Sequence, residues 1–184
     1  SNGSNFGFGT LAMATTTETA HPGTASRAAL REARWQVEEF NYEYAAGLER
    51  GEIEQWPDFF TDDALYRVIA RDNEESGLPL GLIYCEGKGM LRDRAYAIVH
   101  TETFAPRYLQ LRVSNTRVFS ADERTIKAEA SYLLLETLVD EPSRVQQVGK
   151  YHDVFERVDG GLLIKNRKCV YDTVIIDTCL VFPV

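Results

Sequence analysis

Leu30, Ala33, Val37, Phe40, Tyr44 and Leu48 recur at steps of three and four, while Glu38, Glu39, Glu43 and Arg50 fall largely outside that stripe. A period near 3.6 residues predicts an amphipathic helix running to about Arg50. Ser26 or Thr24 supplies its N-cap, and Gly51 stands where a left-handed residue would end it. Ile53, Trp56, Phe59 and Phe60 continue at helical spacing as a short aromatic helix. Ala64 to Arg71 then reads as a strand, Asp72 to Leu80 as a polar loop, and Leu82 to Cys85 as a short apolar strand. After a Gly87-Lys88-Gly89 entry turn, Gly89 to Val99 is predicted helical, with Met90, Leu91, Arg94, Ala95, Ile98 and Val99 at helical spacing. His100 to Arg107 is a connection.

The pattern changes in the C-terminal part. Tyr108 to Ser120, Thr125 to Val139, Arg144 to Val158 and Leu162 to Asp177 are long β-rich runs. Short polar or glycine-containing breaks separate them, which predicts hairpins and an antiparallel meander. Tyr151, Asp153, Phe155 and Arg157 alternate with His152, Val154, Glu156 and Val158. One side of the sheet therefore packs on the helices, and the other is mixed, partly apolar and partly charged. The expectation is an α+β fold, with N-terminal helices packed on a strongly bent, mostly antiparallel sheet.

The 184 residues are 44% hydrophobic with a formal net charge of −8. That length suits one domain with a real core. No basic patch suggests a nucleic-acid partner, and no apolar run approaches the ~20 residues that cross a bilayer. Cys85, Cys169 and Cys179 are odd in number and lack CxxC spacing, so a disulfide framework is not expected and the cytoplasm is the default compartment. Residues 1–26, rich in Ser, Thr, Gly and Ala, read as a disordered tail, with residues 1–12 an expression remnant ahead of Met13, leaving 27–184 as a single domain.

Motifs for resident chemistry are sparse. A Rieske cluster needs paired, closely spaced Cys and His, and no cysteine here has a histidine two or three positions away. Outside the tail only His100 and His152 remain for a two-His-one-carboxylate iron site, with Asp153 the nearest carboxylate. Asp62, Asp63, Tyr66, His100, His152 and Asp172 are types able to move a proton in an apolar cavity, although Asp62-Asp63 suit a turn equally well. There is no GxSxG, P-loop or GxGxxG. Asp153, Arg157, Arg167 and Asp172 lie on two adjacent strands, where cross-strand pairs can fix register or hold a partner chain. Alternation puts Arg167 and Asp172 on opposite faces, so either is expected to meet Asp153, Arg157 or a neighbouring subunit instead. Trp56, Phe59 and Phe60 read as core.

Several of these residues together carry a resemblance. They are the first helix with Gly51, then Trp56, Phe59-Phe60-Thr61-Asp62-Asp63 and Tyr66, then Leu91 and Arg94, then Pro106-Arg107. Arg112-Val113-Ser114-Asn115 is similar to an Arg-x-x-Ser/Thr-Asn strand, one residue shorter, and Gly149, Tyr151, Asp153, Arg157, Gly161, Ile164, Arg167 and Asp172 follow a terminal hairpin pattern. From about Val37 to Val184 the chain resembles the small (β) subunit of Rieske-type aromatic-ring-hydroxylating oxygenases. Leu133-Leu134-Leu135-Glu136 departs from the Tyr-Arg of many relatives, and the Asp72–Leu80 loop with Leu82-Ile83-Tyr84 looks more like the aromatic-acid branch of terephthalate, hydroxybenzoate or salicylate type.

The resemblance implies a cystatin-like, nuclear-transport-factor-like (NTF2-like) cone and a non-catalytic structural role. It further implies a homotrimer of β and an α3β3 assembly with a large α subunit that carries the Rieske [2Fe-2S] cluster and the mononuclear iron. No cofactor, catalytic residue or metal ligand is expected in this chain. Trp56, Phe60, Asp62, Tyr66, Arg94, Arg112, Asn115, Asp153, Arg157, Arg167 and Asp172 are the structural or subunit-interface candidates. The alternative is a stand-alone isomerase or dehydratase on the same fold. It would show an open apolar cavity with an Asp or His at its base, where a β subunit would fill that space with side chains.

Overall fold

Ser26 accepts a hydrogen bond from the Ala29 amide through its hydroxyl, and this cap starts α1 (Arg27–Glu49). The helix buries Ala33, Val37 and Tyr44 of the expected stripe, and Gly51 follows it at φ +77. The computed structural model describes residues 26–101, 104–173 and 180–184, so the tail expected over residues 1–26 lies outside them up to residue 25. A single 3-10 turn, Trp56–Phe59, leads into β1 (Phe60–Ala70). Phe60, Asp62 and Asp63 were expected in an aromatic helix and its following turn, and they stand instead on the strand. Phe60 is extended (φ −117, ψ 151) and pairs with Ile164, so burial against the sheet overrides the helical spacing.

The short helix α2 (Arg71–Glu75) opens the segment expected to be a polar loop, and β2 (Ile83–Glu86) and α3 (Gly87–His100) follow. The buried face of α3 is Leu91, Ala95 and Ile98, whereas Met90 and Val99 flank it and are exposed. Then come β3 (Arg107–Ala121), β4 (Thr125–Leu138), β5 (Arg144–Val158) and β6 (Gly161–Tyr171). The last strand ends earlier than its apolar pattern suggests. The Asp172 amide still donates to Val148 O, but Val148 N then turns to the Thr173 hydroxyl rather than to another backbone carbonyl. Residues 174–179 of the expected strand lie outside the described residues.

The six strands form one sheet in the order β2-β1-β6-β5-β4-β3. Only β1 and β6 run parallel; the remaining neighbours are antiparallel, joined through β3 to β6 as the expected meander. Irregularities bend it. Between Phe60↔Ile164 and Leu65↔Asn166, β1 runs through Thr61–Ala64 while β6 contributes only Lys165. On β3 the pairing slips between Ser114 and Arg117, where Asn115 takes φ 55, a left-handed conformation that Asn tolerates better than most residues. The bent sheet lets edge strand β3 fold back beside α1. The Glu49 carboxylate, in the last turn of α1, accepts from the Leu111 amide (3.0 Å) and from Arg112 Nη1 (2.6 Å), which ties helix to edge.

Candidate functional site

The interior of the cone is built around Arg167, which is 0% exposed. Alternation along β6 points it inward beside Cys169, and register sets it against Asp153 on β5. Its Nε and Nη2 donate to the two Asp153 carboxylate oxygens at 3.0 and 2.8 Å, and Nη2 also donates to Asn41 Oδ1 at 2.7 Å. The guanidinium lies 4.5 Å from the Tyr44 ring centroid and 4.1 Å from that of Tyr151. Burial opposes the charge on Arg167, yet the Asp153 carboxylate outweighs it and holds its pKa well above the ordinary value. Burial pushes the Asp153 carboxyl up, against the pull of Arg167. Arg167 is thus a buried charge, held by Asp153 as the strand pattern allowed. Tyr151 stacks on Tyr132 with centroids 4.6 Å apart, and the Tyr132 hydroxyl donates to Gln147 Oε1 at 2.7 Å.

The remaining interior is occupied by peptide. Tyr44 and Tyr66 both donate to the carbonyl oxygen of Val184, at 2.9 and 3.1 Å, and the Val184 amide donates back to Tyr66 Oη at 3.0 Å. Trp56 Nε1 donates to Tyr44 Oη at 2.9 Å. Arg94 Nη2 holds Val181 O at 2.8 Å, and Phe182 meets Phe104 edge to face. Burial raises the pKa of Tyr44, Tyr66, Tyr132 and Tyr151, so all four are neutral hydrogen-bonding phenols, and it raises the Cys169 thiol in the same way. Edge-to-face contacts among Trp56, Phe60, Tyr66, Tyr44 and Phe59 close the chamber. Tyr44→Phe removes the partner of Trp56 Nε1 and one donor to Val184 O. A loss of about 1–3 kcal/mol is expected in denaturant unfolding, while Tyr42→Phe, on the exposed side of α1, leaves the midpoint unchanged.

The other candidates fall elsewhere. Trp56 and Phe60 are core. Arg112 binds Glu49, and Asn115 supplies the left-handed bulge residue. Arg157 donates to Asp122 O at 3.0 Å and Gln36 Oε1 at 2.6 Å, so it buttresses the β3–β4 turn and α1 rather than meeting Arg167's partner. Asp172 pairs with Arg71 at 2.6 Å on the surface, and Asp62 is exposed. The six proton-transfer candidates do not converge. Tyr66 is interior, Asp62 and Asp63 face solvent, His100 pairs with Glu54 at 3.0 Å, His152 lies 3.7 Å from Glu129, and Asp172 is held by Arg71. Metal donors are equally scattered: the buried thiols of Cys85 and Cys169 sit among apolar and phenolic groups, and no group of three or more His, Cys, Asp and Glu gathers among the described residues. Among the described residues no donor set matches the paired Cys and His of an iron–sulfur cluster or the two His and one carboxylate of a mononuclear iron.

Sequence reasoning missed three polar groups. Asn41 sits on the apolar stripe, one turn after Val37, and that misplaced polarity was the available signal. Gln147 is fully buried on β5. Glu136, which departs from the family pattern, is buried on β4 and bound by Arg107 Nη1 at 2.6 Å, a pairing of strands whose register the sequence does not reveal.

A helix laid across a strongly bent sheet, with aromatic side chains and a peptide segment filling much of the space between, defines the cystatin-like, nuclear-transport-factor-like class. The chain belongs to the ring hydroxylating beta subunit family, whose sequence model matches residues 44–178. It is 30% identical over 141 residues to the small subunit of anthranilate 1,2-dioxygenase from Burkholderia cepacia, covering 77% of this chain and 88% of that one. It is also 30% identical to beta subunit 1 of the terminal oxygenase component of terephthalate 1,2-dioxygenase from a Comamonas species, covering 80% and 96%. Among solved structures, the beta subunit assigned to an aromatic-ring-hydroxylating dioxygenase of Novosphingobium aromaticivorans superposes with a TM-score of 0.75 at 35% identity, over 82% of this chain and 95% of that one. A protein from the same organism assigned as a scytalone dehydratase shares the fold alone, at 19% identity and a TM-score of 0.61, over 78% and 86%.

Proposed function

We propose that this chain is the structural subunit of an oxygenase that hydroxylates an aromatic carboxylic acid, working in the cytoplasm as one of three β subunits in an α3β3 assembly. The Rieske cluster and the mononuclear iron belong to the large subunit in this reading, and residues 27–184 act as a single scaffold domain. The observation that carries it is the occupied interior. The place where an enzyme of this fold would hold substrate contains the Arg167–Asp153 pair between two tyrosine rings and the Val184 main chain clamped by Tyr44 and Tyr66. The acid substrate class is supported by relatives named for anthranilate and terephthalate. The trimer is supported by the convex sheet face, where Tyr84, Tyr108, Phe119, Val145 and Val148 remain exposed.

The purified, untagged chain tests this directly. Elemental analysis is expected to find no stoichiometric iron, and light scattering to report three chains per particle. One iron per chain, or a monomer that persists on concentrating to micromolar levels, would refute the proposal.

A further inference from the structure

A groove beside α1 and one patch of the convex sheet face match one another. The first is a groove of about 710 Å³ between α1, the Trp56–Phe59 turn and the β5–β6 turn. Its walls are largely apolar, with Phe40, Phe59 and Leu162 below and Trp35, 58% exposed, at the rim, and the one cation on it, Arg157, is already engaged by Gln36 and Asp122 O. Glu39 and Glu43 stand along it one helical turn apart, exposed and, among the described residues, in no ion pair. Asp58 adds a third carboxylate, 3.7 Å from Lys88.

The second lies on the opposite, convex face of the sheet. Val118 faces inward against Ala128, so its neighbours Arg117 and Phe119 face out. Phe119 is 57% exposed, with the Arg117 guanidinium 5.7 Å from its ring. Lys127 stands beside it across the β3–β4 pairing, and Arg67 lines the same shallow depression. Arg117 and Lys127 also enter no ion pair among the described residues. Arg117 faces Glu129 across the β3–β4 pairing and Glu43 acts on Arg50, both beyond ion-pair distance, so in a chain of net charge −8 an exposed aromatic flanked by cations is the complement of an apolar groove edged by carboxylates.

We propose that these two surfaces bind each other head to tail between copies of this chain and close the β trimer, which makes the inference rest on the trimeric reading above. Phe119 of one copy enters the groove of the next, and Arg117 and Lys127 meet Glu39 and Glu43. A heterologous contact satisfies both patches in any closed ring, and three is the closure that the trimeric reading supplies.

Charge reversal in the full-length chain separates the possibilities. Glu39→Lys with Glu43→Lys inverts the groove, and Arg117→Glu with Lys127→Glu inverts the patch; all four residues are exposed, and far-ultraviolet circular dichroism checks the fold. Each double variant alone is expected to shift light scattering from three chains to one, and the quadruple variant, whose inverted surfaces match again, to restore three. Phe119→Ala, which alters no charge, is expected to weaken association at least tenfold. Double variants that remain trimeric would overturn the assigned surfaces while leaving the trimer standing, as would a quadruple variant that stays monomeric. A monomeric wild-type chain would remove the trimeric reading and this contact together.

Discussion

Arg167→Ala is expected to cost about 3–5 kcal/mol of folding stability, because it leaves the Asp153 carboxylate buried without its partner. Asn41 Oδ1 loses its donor as well, and Tyr44 and Tyr151 lose the guanidinium packed between their rings. For a domain of this size the melting temperature should fall by about 10 °C. An exposed pair such as Arg71–Asp172 should by contrast cost under ~1 kcal/mol when broken. Replacing both partners, Arg167→Met with Asp153→Leu, removes the unpaired charge and should recover much of the loss. Thermal unfolding of the single and double variants is the check. A wild-type melting temperature for Arg167→Ala would mean that the cluster contributes nothing to the fold.

Gly149→Ala is expected to be nearly as damaging. A Cβ at this position would lie 2.3 Å from Val170 O, 2.8 Å from Tyr132 Oη and 2.8 Å from Tyr171 Cα. Two of these are main-chain atoms of the neighbouring strand, so relief requires β5 and β6 to separate where Gly149 pairs with Tyr171. Overpacking of this kind costs about 1–3 kcal/mol, and rigid backbone neighbours place it at the upper end. The same displacement would loosen the Tyr132 hydroxyl from Gln147. Gly89→Ala, with nothing within 4 Å of the added carbon, should leave the melting temperature unchanged or raise it. Equal melting temperatures for the two variants would contradict this account of Gly149.

The helix-plus-meander architecture was legible because periodicity is a local property. The α1 stripe, the Ser26 cap, Gly51 and the hairpin breaks each declare themselves within a few residues. What stayed hidden depends on which distant residues meet. Phe60 reads as helical until Ile164 is placed beside it, and the parallel pairing of β1 with β6 has no local signature. The Arg167–Asp153 pair was half visible, since alternation showed that Arg167 could not pair with Asp172. Its Tyr44, Tyr151 and Asn41 surroundings required the curl of the sheet. Val184 as the filling of the cone had no signal at all, because nothing in an apolar terminal stretch says that two tyrosines will grip its main chain.

The central claim is that this chain supports catalysis carried by another polypeptide, and co-expression with its large oxygenase subunit tests it most directly. Native mass spectrometry of the purified complex, followed by iron analysis of the separated subunits, is expected to give three copies of each chain with all iron on the large one. Recovery of this chain alone, with the large subunit assembled and active without it, would contradict the account.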